Sequence, residues 1–252
     1  MFKFVTKKEY WDVVSSNILD DIKTKQNFSW HLKSIQDAIA YCYLYEYSNK
    51  EIAEIGGGNS RLLPTLARKN TCYNIEEFKG AGGGPKKEIR FMGVNNILAK
   101  VGEFSNVINN NQFDAVFSVS VIEHVPDDNL SDFFKDCHRI LKPSGLMIHL
   151  IDVYLEDSAE LNESDVRRVM KYGSFLNTNL FSPLKQPEIL TEKDVKFSTS
   201  FATNPDNMME EWNRTNPKRK NERERAQSCA LLMVGRKNDT RVPFDDFLDT
   251  LE

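Results

Sequence analysis

The feature that most constrains this chain is the segment Glu51-Ile-Ala-Glu-Ile-Gly-Gly-Gly-Asn-Ser-Arg61, followed by Leu62-Leu63-Pro64-Thr65-Leu66-Ala67. A short apolar run carrying Glu54 ends in three consecutive glycines, and an apolar segment of helical character begins at once. The pattern predicts a buried strand, a tight turn and a helix whose first turn faces the loop. Glycines belong in such a turn because the backbone must bend sharply and a Cβ would collide with a ligand that approaches it.

The surrounding sequence repeats the alternation. Strand candidates lie at 52–55, 72–75, 97–101, 113–119 and 146–151, with helical stretches at 62–69 and 130–141 between them. Strands alternating with helices predict a parallel sheet covered on both faces. Asp127-Asp128-Asn129 supplies cap-type residues for the second helix, and Lys142-Pro143-Ser144-Gly145 stops it before the next strand. The first 48 residues read as helical and aromatic, with Tyr10, Trp11, Phe28, Trp30 and His31 followed by Tyr41, Tyr43, Tyr45 and Tyr47. Residues 154–195 are mixed and polar and read as a substrate-facing insertion. Runs at 195–201 and 228–234 are expected to form an antiparallel pair closing the sheet edge, and 242–251 a short terminal helix.

With 252 residues and 40% hydrophobic content, the chain is long enough for one large α/β domain, and no linker divides it. The expected organisation is a helical cap at 1–48, a ligand-binding core at 49–152, a substrate-side insertion with edge strands at 153–237, and a tail at 238–252. A net charge of −4 creates no basic field for nucleic acid, and the basic run at 218–225 is interleaved with acids. Cys42, Cys72, Cys137 and Cys229 form no paired motif, so neither a zinc site nor a disulfide framework is expected. The N-terminus lacks a signal-peptide core and no segment is long enough to span a bilayer, which leads to the expectation of a cytoplasmic protein. Oligomeric state is not legible.

Two ligand classes use a glycine turn of this kind. The dinucleotide fingerprint requires a glycine where Arg61 stands, and the alternative frame requires glycines at Asn59 and Leu62, so it fails. The stretch instead resembles the first motif of class I S-adenosylmethionine-dependent methyltransferases, with Glu54, Gly56 and Gly58 in place and Ser60 where a third glycine is common. Glu76 follows the second strand candidate, 20 positions after Gly56, a spacing suited to ribose hydroxyls, with Glu77 as its neighbour and competitor. Gly102-Glu103-Phe104 resembles the family's Gly-Asp-Ala segment. Phe113 to Asp127 resembles its fourth motif, and His138 to Leu146 its helix–turn–strand signature. The resemblance spans roughly residues 50–152. It implies a doubly wound, seven-stranded, mostly parallel Rossmann-like sheet with an antiparallel edge strand. It also implies S-adenosyl-L-methionine as cofactor, released as S-adenosyl-L-homocysteine, with contacts from Glu54, Gly56, Gly57, Gly58, Glu76, Glu77, Glu103, Phe104, Ser118 and Val119.

The sulfonium methyl is already activated, so the protein's task is to align donor and acceptor and to exclude water. An alcohol acceptor needs a general base. In open α/β sheets the ligand lies beyond the carboxyl ends of the strands. His124, which follows the fourth strand, is a candidate for the base, a substrate contact or a cofactor-positioning group. His149 and Asp152, at the end of the fifth, resemble a His-x-x-Asp segment of methyltransferases from bacterial glycan and secondary-metabolite pathways. That resemblance implies a sugar or nucleotide-sugar hydroxyl as acceptor. Methylation of an amine or carboxylate, or cofactor binding without turnover, are the alternatives. Trp11, His31 and Tyr154 are candidates for an aromatic or polar cover over the acceptor. No metal site is expected. The glycine cluster at 80–84 reads as a surface loop or a loop beside the cofactor.

Overall fold

The predicted first strand is an interior strand of the sheet. In the computed structural model, which describes residues 1–23, 32–156, 163–176, 180–185 and 226–238, β2 (Glu51–Ile55) runs parallel to β3 (Thr71–Ile75) on one side and β5 (Phe113–Val119) on the other. Beyond them lie β4 (Val94–Ile97), parallel to β3, and β6 (Leu141–Glu156), parallel to β5. The long β8 (Ala226–Lys237) runs antiparallel to β6, and β1 (Phe2–Phe4) pairs antiparallel with the outer side of β8. The order is β1-β8-β6-β5-β2-β3-β4, and a three-residue β7 (Phe181–Pro183) also pairs with β8. The strand order reverses between β2 and β5, which makes their carboxyl ends the switch-point crevice of an open α/β sheet.

Strand alternation sends side chains into two cores. Ile52, Ala115, Phe117, Ile148 and Leu150 pack on one face beneath α3 (Leu32–Leu44) and α4 (Leu63–Leu66). That face also receives Tyr10 from α1 (Lys7–Ser15) and Ile22 from α2 (Asp20–Lys23). Ala53, Val116, Met147 and Ile151 pack on the other face with Phe133 and Phe134 of α5 (Leu130–Ile140) and Tyr172 and Phe175 of α6 (Glu163–Leu176).

Three local expectations change. The strand expected at 97–101 lies earlier, at Val94–Ile97, because Leu98 and the residues after it leave the sheet for a turn that ends at Gly102, where φ is +101°. The helix expected at 62–69 is reduced to Leu63–Leu66. The first residues are not helical: Phe2 and Phe4 are buried as part of β1, and helix begins only at Lys7, with Thr6 and Glu9 forming a capping box. Among the described residues the sheet has eight strands, seven of them in one path. The expected run at 228–234 lies within β8, while those at 195–201 and 242–251 lie outside the described residues, as does the basic run at 218–225. Part of the expected insertion is core structure, since α6 buries Val169, Tyr172, Phe175 and Leu176. No helix among the described residues is long and apolar enough to cross a membrane.

Candidate active site

The glycine turn hangs from β3, because the Gly56 amide donates to the Ile75 carbonyl at 2.8 Å. Gly56 and Gly58 adopt left-handed φ values of 63° and 49°. Gly57 has an ordinary φ but no room: a Cβ there would lie 2.7 Å from Asn74 Oδ1 and 2.9 Å from Glu54 Cδ. Glu54 is buried and accepts a hydrogen bond from Ser60 Oγ, which in turn accepts from the Leu63 amide at 3.0 Å as α4 begins. Burial pushes the Glu54 carboxyl up to about 7, with Ser60 opposing the rise. Arg61 turns outward onto Asp37 of α3, its Nη2 2.9 Å from Oδ1 and its Nε also bonded to the carboxylate. The loop containing Gly80–Pro85 lies beside this turn, with Pro85 Cδ 3.0 Å from where a Gly58 Cβ would sit.

Beyond β3, Glu76 accepts from the Phe78 amide at 3.0 Å, and Glu77 pairs with Lys79 at 2.6 Å. Glu103 is exposed and pairs with Lys100 at 3.0 Å. Phe104, also exposed, holds φ at 52°. Their loop is fixed from beneath by Asp136 of α5, a residue the sequence reading did not single out. Asp136 Oδ2 accepts from the amides of Gly102 at 2.7 Å and Phe104 at 3.2 Å, and its Oδ1 accepts from Arg139 Nε at 2.7 Å. Arg139 also donates to the carbonyls of Ile108 and Ser105. The available signal was an acid three residues before an arginine, one helical turn apart.

At the end of β5, Ser120 takes a left-handed φ of 56° and directs Oγ to Asp152 Oδ1 at 2.6 Å and Gln36 Oε1 at 2.8 Å. Its single proton serves one of them at a time. Gln36 Nε2 donates to Asp152 Oδ1 at 2.7 Å, and Lys33 Nζ lies 3.4 Å from Oδ2. Asp152 thus sits in a polar mouth built from β5, β6 and the cap helix α3. The adjoining turn Ile122–His124 is held by Arg168 of α6, whose Nη2 reaches the carbonyls of Ile122, Glu123 and Val125, and whose Nη1 pairs with Asp127 at 2.7 Å. His124 is exposed overall, yet desolvation of its ring lowers its pKa; Asp152 pulls it up, while Lys33 and Arg168 push it further down. Glu123 is partly exposed as a residue, but both carboxylate oxygens are buried without a hydrogen-bond partner. Burial first, and then the charge of Asp152, raise its pKa well above the carboxylate range; nearby backbone amides and Lys33 oppose that rise.

The mouth brings together His124 and Asp152 but not His149. His149 is buried in β6 near Phe133 and Phe134, with Nδ1 2.8 Å from the equally buried Ser118 Oγ and Nε2 without a partner. Burial pushes its pKa down to about 3, so the ring is neutral in the fold. Ser118 and His149 face each other within the sheet, while Val119 ends β5 nearer the crevice. Trp11 is exposed on α1. Tyr154 continues β6, opposite Ser228, with its side chain outside the described residues; His31 is also outside them.

A glycine turn at the switch point, acids after β3 and β4 and a polar mouth at β5 and β6 thus share one end of a Rossmann-like sheet. Residues 53–149 match the sequence model of a family described as a methyltransferase domain. S-adenosylmethionine is the cofactor that the motifs of this segment imply. The residues fit that group, since among the described residues no hydrogen bond occupies the amides of Gly57 and Gly58, and Asn74 Oδ1 is buried without a donor.

A comparison with curated protein sequences returns no match. Among solved structures, the fold is similar to that of a candidate sarcosine dimethylglycine methyltransferase from Galdieria sulphuraria. The identity is 14% and the TM-score 0.54, over 86% of this chain and 96% of that one. It is also similar to Haemonchus contortus phosphoethanolamine N-methyltransferase 2, crystallised with phosphomonomethylethanolamine and S-adenosylhomocysteine, at 15% identity and TM-score 0.53. That match covers 81% of this chain but 52% of the other, so this chain spans about half of that enzyme's length. The YcgJ protein of Bacillus subtilis matches at 12% identity and TM-score 0.50, over 81% of this chain and 99% of that one.

Proposed function

We propose that this methyltransferase acts on an oxygen of a small polar molecule, a sugar or nucleotide-sugar hydroxyl, at the mouth formed by Ser120, His124 and Asp152. The observation that carries the reading is the pairing of a ring held neutral with a carboxylate at the strand ends. Desolvation lowers the pKa of His124, leaving its imidazole free to take a proton at neutral pH. Asp152, oriented by Gln36 and Ser120, is available to bind the acceptor hydroxyl. On the donor side, Gly56, Gly57 and Gly58 would receive the amino-acid end of the cofactor, Glu76 the ribose, and Glu103 and Phe104 the adenine. Glu54 and Ser60 hold the turn in shape rather than touching the ligand. The cofactor supplies an activated methyl group. The protein's residues align the acceptor oxygen with it, exclude water and remove the hydroxyl proton.

The test is a labelled-methyl assay across sugar nucleotides, free sugars, amines and carboxylic acids, with the methylated atom located by NMR. Transfer confined to nitrogen or to carboxylates would overturn the oxygen reading. His124→Ala is expected to lower turnover by about 10²-fold or more, the scale of a general base. S-adenosylhomocysteine affinity should stay within about twofold of the parent, because among the described residues no hydrogen bond links His124 to the glycine turn. Loss of cofactor binding in this variant would move His124 from the acceptor to the donor side.

A further inference from the structure

We propose that Glu123 is an acceptor-binding residue and that the acceptor carries a positively charged amino group beside the hydroxyl it presents to His124. The proposal rests on the reading of the mouth as the acceptor site and goes beyond it by assigning the acceptor's charge.

The polar groups of the mouth differ in one respect. Asp152 already has protein partners, Gln36 and Ser120 on one oxygen and Lys33 beside the other, with acceptor capacity left for a hydroxyl. Arg168 is committed to the carbonyls of the Ile122–His124 turn and to Asp127. Glu123 belongs to that same turn, which packs on β6, and both of its carboxylate oxygens are buried with no side-chain donor and no hydrogen bond of normal geometry, only the amides of Glu123 itself and Asp152 lying near. A buried carboxyl with neither oxygen bonded is costly, and such groups in a native fold call for a partner that the free chain lacks.

The chemistry of the missing partner follows from the charges around it. The nearest side-chain charges that act on Glu123 are Asp152 and Lys33, and Lys33 already lies against Asp152. Alone, the carboxyl stays protonated, since ionisation is opposed by burial and by Asp152. A neutral hydroxyl would bond to it without changing that. An ammonium group would do more: its N–H donors satisfy both oxygens and its charge cancels the repulsion from Asp152, so Glu123 ionises as the acceptor enters. Glu123 adjoins His124 in the turn, so both belong to the end of the sheet at which the acceptor is proposed to bind. An amino sugar or amino alcohol has the required pair of groups.

The experiment measures binding of matched pairs to the full chain loaded with S-adenosylhomocysteine, by calorimetry. The pairs are glucosamine against glucose and ethanolamine against ethylene glycol. In the parent, the amino member of at least one pair is expected to bind about tenfold more tightly than its hydroxyl counterpart, the scale of a charge-assisted hydrogen bond. In Glu123→Gln, which keeps the shape and removes the charge, that ratio should fall to about one, and S-adenosylhomocysteine affinity reports that the fold and donor site are intact. Equal affinity within every pair for the parent, no binding of any amino member, or a preference that survives in Glu123→Gln would each overturn the assignment. The reading of the mouth fails separately: in that case the amino preference is found, but Asp152→Asn leaves binding of both members of the pair unchanged.

Discussion

Removing Asp136 tests whether the loop bearing Glu103 and Phe104 is held by this one carboxylate. In Asp136→Ala three donors lose their acceptor: the Gly102 amide, the Phe104 amide and Arg139 Nε. They do not weigh equally. Phe104 is exposed, so its amide regains water at little cost. Gly102 lies against α5, where an added Cβ would sit 3.3 Å from the Phe133 backbone, and stripping a covered amide costs about 1–3 kcal/mol. Arg139 keeps its carbonyl acceptors at Ile108 and Ser105 but loses its counter-charge, and breaking a buried pair costs about 3–5 kcal/mol. Because the Arg139 side chain retains 20% exposure, the low end applies to both, and the sum is about 4 kcal/mol. For a chain of this size that corresponds to a fall in Tm of about 8–16 °C, measurable by calorimetry. Asp136→Asn keeps one acceptor oxygen and should lose about half as much. S-adenosylhomocysteine affinity should fall in parallel if the loop holds the adenine end as proposed. A Tm within about 2 °C of the parent for Asp136→Ala would refute the clamp outright.

Two further outcomes follow from the glycine turn and the buried histidine. Gly57→Ala adds a Cβ that must displace Asn74 Oδ1 or Glu54, both buried, with no φ strain to share the blame. Its cost should be about 1–3 kcal/mol by chemical denaturation, with weakened cofactor binding, and unchanged stability would mean that the turn relaxes freely. His149 and Glu54 make opposite contributions to the pH dependence of stability. A histidine with folded pKa about 3 stabilises above its ordinary 6.5 and loses that contribution as pH falls from 6.5 toward 3. A carboxyl with folded pKa about 7 stabilises below its ordinary 4.5 and loses that contribution as pH rises from 4.5 through 7. Between 4.5 and 6.5 the two slopes oppose each other, so the parent changes little on their account. His149→Gln removes one slope. The stability difference between parent and variant should therefore grow in the parent's favour by about 1.4 kcal/mol per pH unit as pH rises through that window. A difference that does not vary with pH would show that His149 titrates normally in the fold.

What was legible in the sequence was what local pattern encodes. The β2 turn, β5 and α5 were readable because burial of one face imposes a period and because glycine, proline and cap residues punctuate it. The acceptor mouth was only half readable. Asp152 is 116 residues from Gln36 and 119 from Lys33, and nothing in the spacing of α3 foretells that its polar side chains close over the end of β6. Glu123 was visible beside His124, but whether its oxygens have partners is a property of packing. The start of the chain misled for a related reason. Met1 to Val5 is short and, apart from Lys3, apolar, and its strand character comes from pairing with β8, more than 200 residues away.

The two positions that depart from the glycine pattern also carry the link between donor and acceptor sides. At 60, a glycine would leave the buried Glu54 carboxyl without the hydroxyl that now bonds it, and would leave the Leu63 amide without its acceptor. Serine is therefore the compatible residue once a glutamate occupies 54, and its presence needs no relaxation of the motif. At 61, the arginine does not press on the helix–strand contact, because its side chain leaves the turn for Asp37. Asp37 adjoins Gln36, so consecutive residues of α3 hold the donor turn and the acceptor mouth. A helix anchored at both points cannot move away from one without straining the other. Under the proposed reading, the geometry of α3 sets how donor and acceptor face each other, with bulky, charged Arg61 as one of its two anchors.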